Sequence, residues 1–220
     1  MEILNITAHL NQLKLAVEPA QLIVVSKYRP IEQIKAVHQA GQRHFAENRV
    51  QALMERVNEL PKNIYWHLIG HLQSNKVKYI APFIHTIHSV DSEKLLDAIN
   101  EAGARADRKI RVLLQVKIAQ EETKHGWEIA KLRDFAADFM PEFFTYVEFA
   151  GLMAMATNTS DKEVLDKEFT QAQQLFTEMQ PIFGPDFKEL SLGMSSDYEE
   201  AVSHGSTMVR IGSGVFDIFN

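Results

Sequence analysis

The chain has 220 residues, of which 45% are hydrophobic and 24% are charged. This composition is sufficient for a full hydrophobic core, which excludes a disulfide-stapled miniprotein and a disordered tail. The 23 Lys and Arg against 29 Asp and Glu give a net charge of −6, which argues against a nucleic-acid-binding protein that depends on phosphate contacts. The absence of cysteine excludes disulfides, thiolate nucleophiles and cysteine-ligated zinc.

The N-terminal segment lacks the basic start and the uninterrupted apolar stretch of a signal peptide, because Glu2 and several later polar residues break it. No other stretch approaches the roughly 18 consecutive apolar residues that a membrane-spanning helix needs. We therefore expect a cytoplasmic protein without membrane contact, and we take a monomer as the simplest state.

Hydrophobic periodicity predicts an N-terminal helix over residues 3–17, followed by alternating strands and helices. Short apolar runs predict eight strands, at residues 22–25, 44–46, 65–68, 85–88, 110–118, 145–153, 189–192 and 207–211. Helical spacing of apolar residues is clearest at 31–38, 92–105, 128–140 and 162–179.

Alternating β and α units are typical of a parallel sheet that is covered by helices. Eight such units favour a single (β/α)₈ TIM barrel with an additional N-terminal helix over a doubly wound sheet. No linker rich in Pro, Gly or Ser interrupts the pattern, so we expect one domain over residues 1–220.

Lys27 directly follows the first predicted strand, at the barrel end where active sites lie. A lysine held at a barrel mouth is expected to lose hydration, which disfavours its ammonium form and leaves an amine able to form an imine with a carbonyl. The alternative is an ordinary lysine that extends from the strand end into solvent.

Two glycine turns follow the last two strands, Gly193-Met194-Ser195-Ser196-Asp197 and Gly212-Ser213-Gly214. Such turns at helix starts offer backbone N–H groups to an anion, and phosphate sites recur at these two places in barrels. Barrel closure makes the eighth strand a neighbour of the first, so Lys27 is expected beside this anion site. A lysine amine next to a phosphate site suits pyridoxal 5′-phosphate, although each turn alone is also explained by a tight turn with a helix cap.

Arg210 lies in the last strand, two residues before Gly212. An inward-pointing arginine would donate a hydrogen bond to the pyridine nitrogen of the cofactor and discourage its protonation, which weakens the ring as an electron sink. The alternative is a salt bridge to a barrel acid such as Glu47 or Glu148.

At these positions the chain resembles the pyridoxal phosphate homeostasis proteins, a family similar to the barrel domain of bacterial alanine racemase, a fold type III barrel. The resemblance is carried, in order along nearly the whole chain, by Val24-Val25-Ser26-Lys27, Phe45-Ala46-Glu47-Asn48, the segment from Trp66 to Lys76, Gly151-Leu152-Met153, the segment from Leu190 to Asp197 and the segment from Gly205 to Gly212.

The resemblance implies a role for individual residues. It implies that Lys27 forms a Schiff base with the cofactor, that Arg210 meets the pyridine nitrogen, and that Ser195 with the main chain of Gly212 and Ser213 holds the phosphate. Asn48 and His67 match family positions near the cofactor. Two positions depart from the family pattern, since many relatives have proline in place of His71 and glycine in place of Asp217.

For function, the resemblance implies a carrier or regulator of vitamin B6 and amino-acid pools, with apo-enzymes as potential recipients of the cofactor. Racemisation in the related fold needs a second acid or base from an extra C-terminal domain and a partner subunit. Because the eighth strand ends close to Asn220, we expect that group to be missing here. The alternative is a pyridoxal-phosphate-dependent enzyme with weak racemase-type activity. A class I aldolase is less consistent, because its lysine usually comes from a later strand and is surrounded by further acids.

Histidine pairs at His67/His71 and His85/His88 have spacings that suit a metal on a helix. Both pairs fall in or beside predicted strands, and no carboxylate cluster completes a ligand set. We therefore favour structural or hydrogen-bonded histidines and predict no metal site. The segment Lys124-His125-Gly126 is interpreted as a solvated loop, with a mobile lid as the alternative.

Overall fold

A computed structural model describes residues 3–119 and 125–219 of the protein. Its β-strands form one closed barrel in which each strand pairs in parallel with the next and β8 pairs with β1. The strands are β1 Gln21–Val25, β2 His44–Glu47, β3 Tyr65–Leu68, β4 Thr86–Val90, β5 Ile110–Val116, β6 Val147–Ala154, β7 Glu189–Ser191 and β8 Met208–Ile211. The predicted TIM barrel is thus confirmed.

Helices surround the barrel, and an additional helix precedes β1 as predicted. The helices of the described part are α1 Ile3–Ala16, α2 Ile31–Gln39, α3 Val50–Glu59, α4 Val77–Ile80, α5 Glu93–Arg105, α6 Ile129–Ala137, α7 Lys162–Phe183, α8 Tyr198–Ser203 and α9 Ser213–Phe216. Short 3₁₀ turns occupy Ser74–Lys76, Pro141–Phe144 and Asp217–Phe219. None of the helices within residues 3–119 and 125–219 is both long and apolar enough to cross a membrane.

The junction of β8 with β1 determines where the functional residues meet. In this pair Ile23 lies opposite Arg210 and Val24 lies opposite Ile211. Because both strands run in the same direction, their following segments leave the barrel at the same end, where active sites of this fold lie. Lys27 and the Gly212 turn are therefore neighbours, although 185 residues separate them along the chain.

The core has two layers, which follow from the alternation of side chains along each strand. Residues such as Leu22 and Val24 face the helices and belong to the large outer cluster. Ile23 and Val25 face inward and pack with Leu113 and other residues in a small cluster inside the barrel. Much of the remaining interior is polar, since His67, His88, Ser191 and Arg210 are all buried there.

Helix boundaries differ from the sequence expectation in a few places. The hydrophobic pattern did not mark α3, α4, α8 and α9, of which the last three have at most six residues and therefore little periodicity. Helix α7 continues past residue 179 through Pro181 to Phe183, and Gly184, which has a φ of 90°, follows its last residue. Its start is capped by Asp161, whose carboxylate accepts a hydrogen bond from the backbone N–H of Glu163 at 2.9 Å.

Candidate cofactor-binding site

A cavity of about 700 Å³ opens at the carboxyl ends of the strands, a volume within the usual range of small-molecule sites, roughly 300–1,000 Å³. Residues from both ends of the chain and from its middle line this cavity. The lining residues are Val25, Lys27, Tyr28, Arg29, Pro30, Gln33, Asn48, Ile69, Gly70, His71, Gln115, His125, Met155, Met194, Ser195, Arg210, Gly212 and Ser213.

Lys27 lies at the rim of this cavity, directly after β1, in the predicted place. Its side chain is exposed, so the expectation that it loses its hydration at the barrel mouth is wrong. The reason is local: β1 ends at Val25, and the next residues turn outward with Tyr28 in the left-handed region at a φ of 64°. The amine therefore stays accessible from solvent.

The two predicted glycine turns come together on one side of the cavity. The backbone N–H of Gly212 points at the hydroxyl oxygen of Ser195, at 3.4 Å. Helix α9 begins at Ser213, and the first N–H groups of a helix have no acceptor within it. The carboxylate of Asp197 accepts from the backbone N–H of Met194 at 2.6 Å, which fixes the loop that carries Ser195.

Two close contacts show how tightly the chain packs in this region. Gly193 has a φ of 84°, and a Cβ there would lie 2.6 Å from the Cβ of Ala201, so only glycine fits without movement. At Gly212 a Cβ would lie 3.3 Å from the carbonyl oxygen of Val25, two residues before Lys27. The second contact shows directly that the turn after β8 packs on the end of β1, and it confirms the predicted proximity of Lys27 to the glycine turns.

Arg210 forms the inner wall of the cavity and is only 3% exposed. Its guanidinium donates to the carbonyl oxygen of Ser191 at 2.8 Å, to the Ser191 hydroxyl at 2.7 Å and to the carbonyl oxygen of Ala154 at 3.1 Å. Within the described residues no carboxylate lies within salt-bridge distance of it. Three of the five N–H donors of the guanidinium are thus used, and two are left.

The alternative of a salt bridge from Arg210 to Glu47 or Glu148 is wrong. Glu47 accepts from Ser26 and from Arg56, and Glu148 pairs with Arg111. Burial lowers the pKa of Arg210 to about 10, so its side chain remains a cation at neutral pH. Among residues 3–119 and 125–219 the charge of Asp197 acts on Arg210, but no carboxylate forms a salt bridge with it. A buried cation of this kind, at the wall of a cavity, is suited to an acceptor on a ligand.

Asn48 and His67, the two remaining predicted site residues, differ in position. Asn48 lines the cavity just after β2, where its carbonyl group approaches Gly70 so closely that a Cβ at Gly70 would overlap it. His67 is fully buried inside the barrel and is absent from the cavity wall. It contacts His44 and His88 by hydrogen bonds at 3.0 and 2.8 Å.

Several cavity residues were not found from the sequence. Gln33 is the most informative of them, because its side-chain oxygen is buried and has no hydrogen-bond partner in the described part of the chain. Gln115 also lines the cavity and donates to the carbonyl oxygen of His125 at 2.8 Å. Neither residue stands out in the sequence, because a single glutamine in a helix or strand carries no pattern that marks a site.

The rim of the cavity also carries two histidines. His71 and His125 stack with ring centroids 4.3 Å apart and planes at 17°, and His71 also contacts Asp91 at 3.2 Å. One ligand atom from each of the three residues falls within 4.8 Å of the others. This grouping of exposed and half-exposed side chains does not by itself define a metal centre, and the absence of a metal site stays a prediction. Of the predicted loop, Lys124 lies outside the described residues.

A family profile described as "Alanine racemase, N-terminal domain" matches residues 3–218. The pyridoxal phosphate homeostasis protein of Pasteurella multocida is 35% identical over 216 residues, which are 96% of this chain and 92% of the relative. The protein of the same name from Schizosaccharomyces pombe is 34% identical over 199 residues, covering 89% of this chain and 82% of the relative.

Solved structures agree with these matches. PipY of Synechococcus elongatus, with pyridoxal phosphate bound, superposes with a TM-score of 0.85 at 35% identity and covers 96% of this chain and 99% of its own. Its form without pyridoxal phosphate has a TM-score of 0.88 at 36% identity and the same coverage. Alanine racemase of Bartonella henselae shares the fold alone, with a TM-score of 0.75 at 16% identity over 98% of this chain and 59% of that one.

Fold and site together define a barrel of the alanine racemase N-terminal domain class. Within that class, the chain belongs to the pyridoxal phosphate homeostasis protein family, as its motifs had indicated.

Proposed function

We propose that this protein binds pyridoxal 5′-phosphate in the cavity at the barrel mouth and acts as a cofactor carrier in vitamin B6 homeostasis. The observation that carries the proposal is Arg210, a buried cation with two unused N–H donors at the wall of a cavity that also holds Lys27 and Ser195. The bound cofactor would supply an aldehyde, an aromatic ring nitrogen and a phosphate, and the cavity offers a complementary group for each.

Each cavity residue takes one part of the ligand. Lys27 holds the aldehyde carbon as a Schiff base, and an N–H of Arg210 donates to the pyridine nitrogen. Ser195 and the backbone N–H groups of Gly212 and Ser213 bind the phosphate. Asn48 flanks the ligand. His67 is left out of these contacts, because it does not line the cavity.

A carrier role fits two properties of the site. Arg210 donates and does not accept, so it keeps the ring nitrogen unprotonated and the ring a weak electron sink for amino-acid chemistry. Lys27 is exposed, so the lysine amine of a recipient apo-enzyme would reach the carbon that Lys27 holds, form the new C=N bond there and free the Lys27 amine. Tight storage of the cofactor in a closed site would instead require a buried Lys27.

The test is spectroscopic, and a lysine outside the site provides its control. Protein saturated with pyridoxal phosphate and dialysed should be yellow, and Lys27→Ala should lose the colour. Lys35→Ala should keep it, because Lys35 lies on α2 and pairs with Glu32 at 3.1 Å, away from the cavity wall. Equal colour in both variants contradicts the assignment of Lys27. The carrier role is tested separately, by reactivation of an apo-enzyme mixed with the loaded protein.

A weak amino-acid racemase is the second candidate function. The stacked imidazoles of His71 and His125 at the rim favour it, since an imidazole has a ring nitrogen that can donate a proton and one that can accept a proton. Loaded protein incubated with a single enantiomer should yield none of the other enantiomer if the protein is only a carrier. Formation of the other enantiomer, abolished by His71→Ala with His125→Ala, would support the racemase. The monomeric state and the cytoplasmic location stay predictions.

A further inference from the structure

Five polar side chains, four of them buried and His44 half-buried, form a continuous hydrogen-bonded line through the barrel interior. The Arg210 guanidinium donates to the Ser191 hydroxyl at 2.7 Å, and that hydroxyl lies 3.1 Å from Nδ1 of His88. Nε2 of His88 lies 2.8 Å from Nδ1 of His67, and Nε2 of His67 lies 3.0 Å from Nδ1 of His44. The line runs from the cavity wall at Arg210 to the opposite end of the barrel, where His44 begins β2.

The inner histidines of this line are neutral. Burial lowers the pKa of His67 and of His88 well below the usual value, and the neighbouring His88 ring in the first case and the Arg210 cation in the second lower it further. A neutral imidazole has one N–H donor and one bare nitrogen acceptor. Every ring in the line must therefore donate on one side and accept on the other.

Arg210 sets the direction of the whole line. A guanidinium only donates, so the Ser191 oxygen accepts from it and must place its own proton elsewhere. Among the described residues the only other partner of that hydroxyl is Nδ1 of His88. His88 then carries its proton on Nε2 and donates to His67, which in turn donates from Nε2 to His44. In the reverse arrangement the Nδ1–H of His88 would point at the Ser191 hydroxyl, and the buried O–H of Ser191 would have no acceptor.

We propose that His88 and His67 are positioning residues for Arg210. By accepting from the Ser191 hydroxyl, His88 holds the serine oxygen in the orientation that receives Nη1 of Arg210. The guanidinium is thereby held with its unused donors toward the cavity. His67 acts one step further away, because it keeps the proton of His88 on Nε2 and so keeps Nδ1 free to accept. The effect on the cofactor rests on the proposed function, whereas the direction of the line does not.

The first test uses the ligand-free wild-type protein. Long-range ¹⁵N–¹H correlation spectra near pH 7 should show His67 and His88 neutral and protonated on Nε2. Either ring protonated on Nδ1, or charged, overturns the proposal. Ser191→Ala removes the hydroxyl that donates to Nδ1 of His88, which has no other donor within the described part of the chain, so both tautomers of His88 should then be populated. Ser89→Ala is the matched control, since Ser89 is a buried serine on β4 that donates to Gly70 and lies outside the line.

The second test measures ligand affinity with a conservative and a disruptive variant. His88→Leu should weaken binding of pyridoxine 5′-phosphate, which has no aldehyde, by roughly two- to thirtyfold. His88→Asn retains an acceptor for the Ser191 hydroxyl and should recover most of the affinity. Equal losses in the two variants indicate a packing role only and overturn the proposal. Failure of the wild type to bind the probe refutes the proposed function instead, and the tautomer test still decides the direction of the line.

Discussion

Removal of the Ser195 hydroxyl tests the phosphate site without involving the chemistry of Lys27. The hydroxyl oxygen lies 3.4 Å from the backbone nitrogen of Gly212. One oxygen of a bound phosphate would therefore accept hydrogen bonds from both the Ser195 hydroxyl and the Gly212 N–H. A hydrogen bond to a charged group contributes roughly 1.5–3 kcal/mol, equivalent to about 10- to 150-fold in affinity. Because Ser195 is exposed and water competes for it, we expect the lower end, about tenfold, for Ser195→Ala.

The assay is isothermal calorimetry with pyridoxine 5′-phosphate as the ligand. Its alcohol group cannot form a Schiff base, so the measured affinity reports the phosphate and ring contacts alone. Ser196→Ala is the matched control, because this neighbouring serine is also exposed but does not line the cavity. Lys27→Ala should change the affinity for this ligand little. If Ser195→Ala and Ser196→Ala bind equally well, the assignment of Ser195 to the phosphate is refuted.

Two further predictions concern stability. Gly193→Ala should lower the free energy of unfolding in urea by more than Gly184→Ala does. Both glycines have a positive φ, 84° and 90°, which costs an L-residue roughly 1–3 kcal/mol. Only the Cβ at residue 193 would also meet a side chain, that of Ala201 at 2.6 Å, whereas nothing lies within 4 Å of a Cβ at residue 184. Equal losses would show that the loop beside α8 relaxes freely. The second prediction concerns pH. Burial lowers the pKa of His85 to about 4 and also lowers the pKa values of His67 and His88, so these three rings are neutral in the folded protein. In the unfolded chain the same rings become protonated below about pH 6.5. The unfolded chain then binds more protons, so stability should fall as the pH is lowered from about 6.5 towards 4, with each of His67 and His88 contributing up to about 1.4 kcal/mol per pH unit. A flat stability profile between pH 7 and 5 in urea denaturation would contradict the burial of neutral histidines.

The barrel and the meeting of Lys27 with the glycine turns could be predicted from the sequence. Eight apolar runs that alternate with helical patterns leave few arrangements of a parallel sheet, and closure of the sheet then places β8 beside β1. The position of Arg210 on β8, two residues before Gly212, also follows from counting along a strand. These features depend on local pattern and topology alone.

Other features depend on three-dimensional packing that no pattern records. The exposure of Lys27 follows from the outward course of the chain at Tyr28, which is set by the loop conformation. The hydrogen-bonded line requires side chains of β2, β3, β4, β7 and β8 to meet across the barrel interior, and Ser191 gives no sign of this role in the sequence. The unpartnered oxygen of Gln33 likewise becomes visible only once the cavity is known.

We propose that Lys27 holds pyridoxal phosphate as a Schiff base beside the phosphate site. Borohydride reduction of protein saturated with pyridoxal phosphate, followed by peptide mass spectrometry, tests this claim most directly. We predict the mass of one reduced cofactor on the peptide that contains Lys27, at Lys27 itself. A reduced adduct on another lysine, with Lys27 unmodified, would contradict the account.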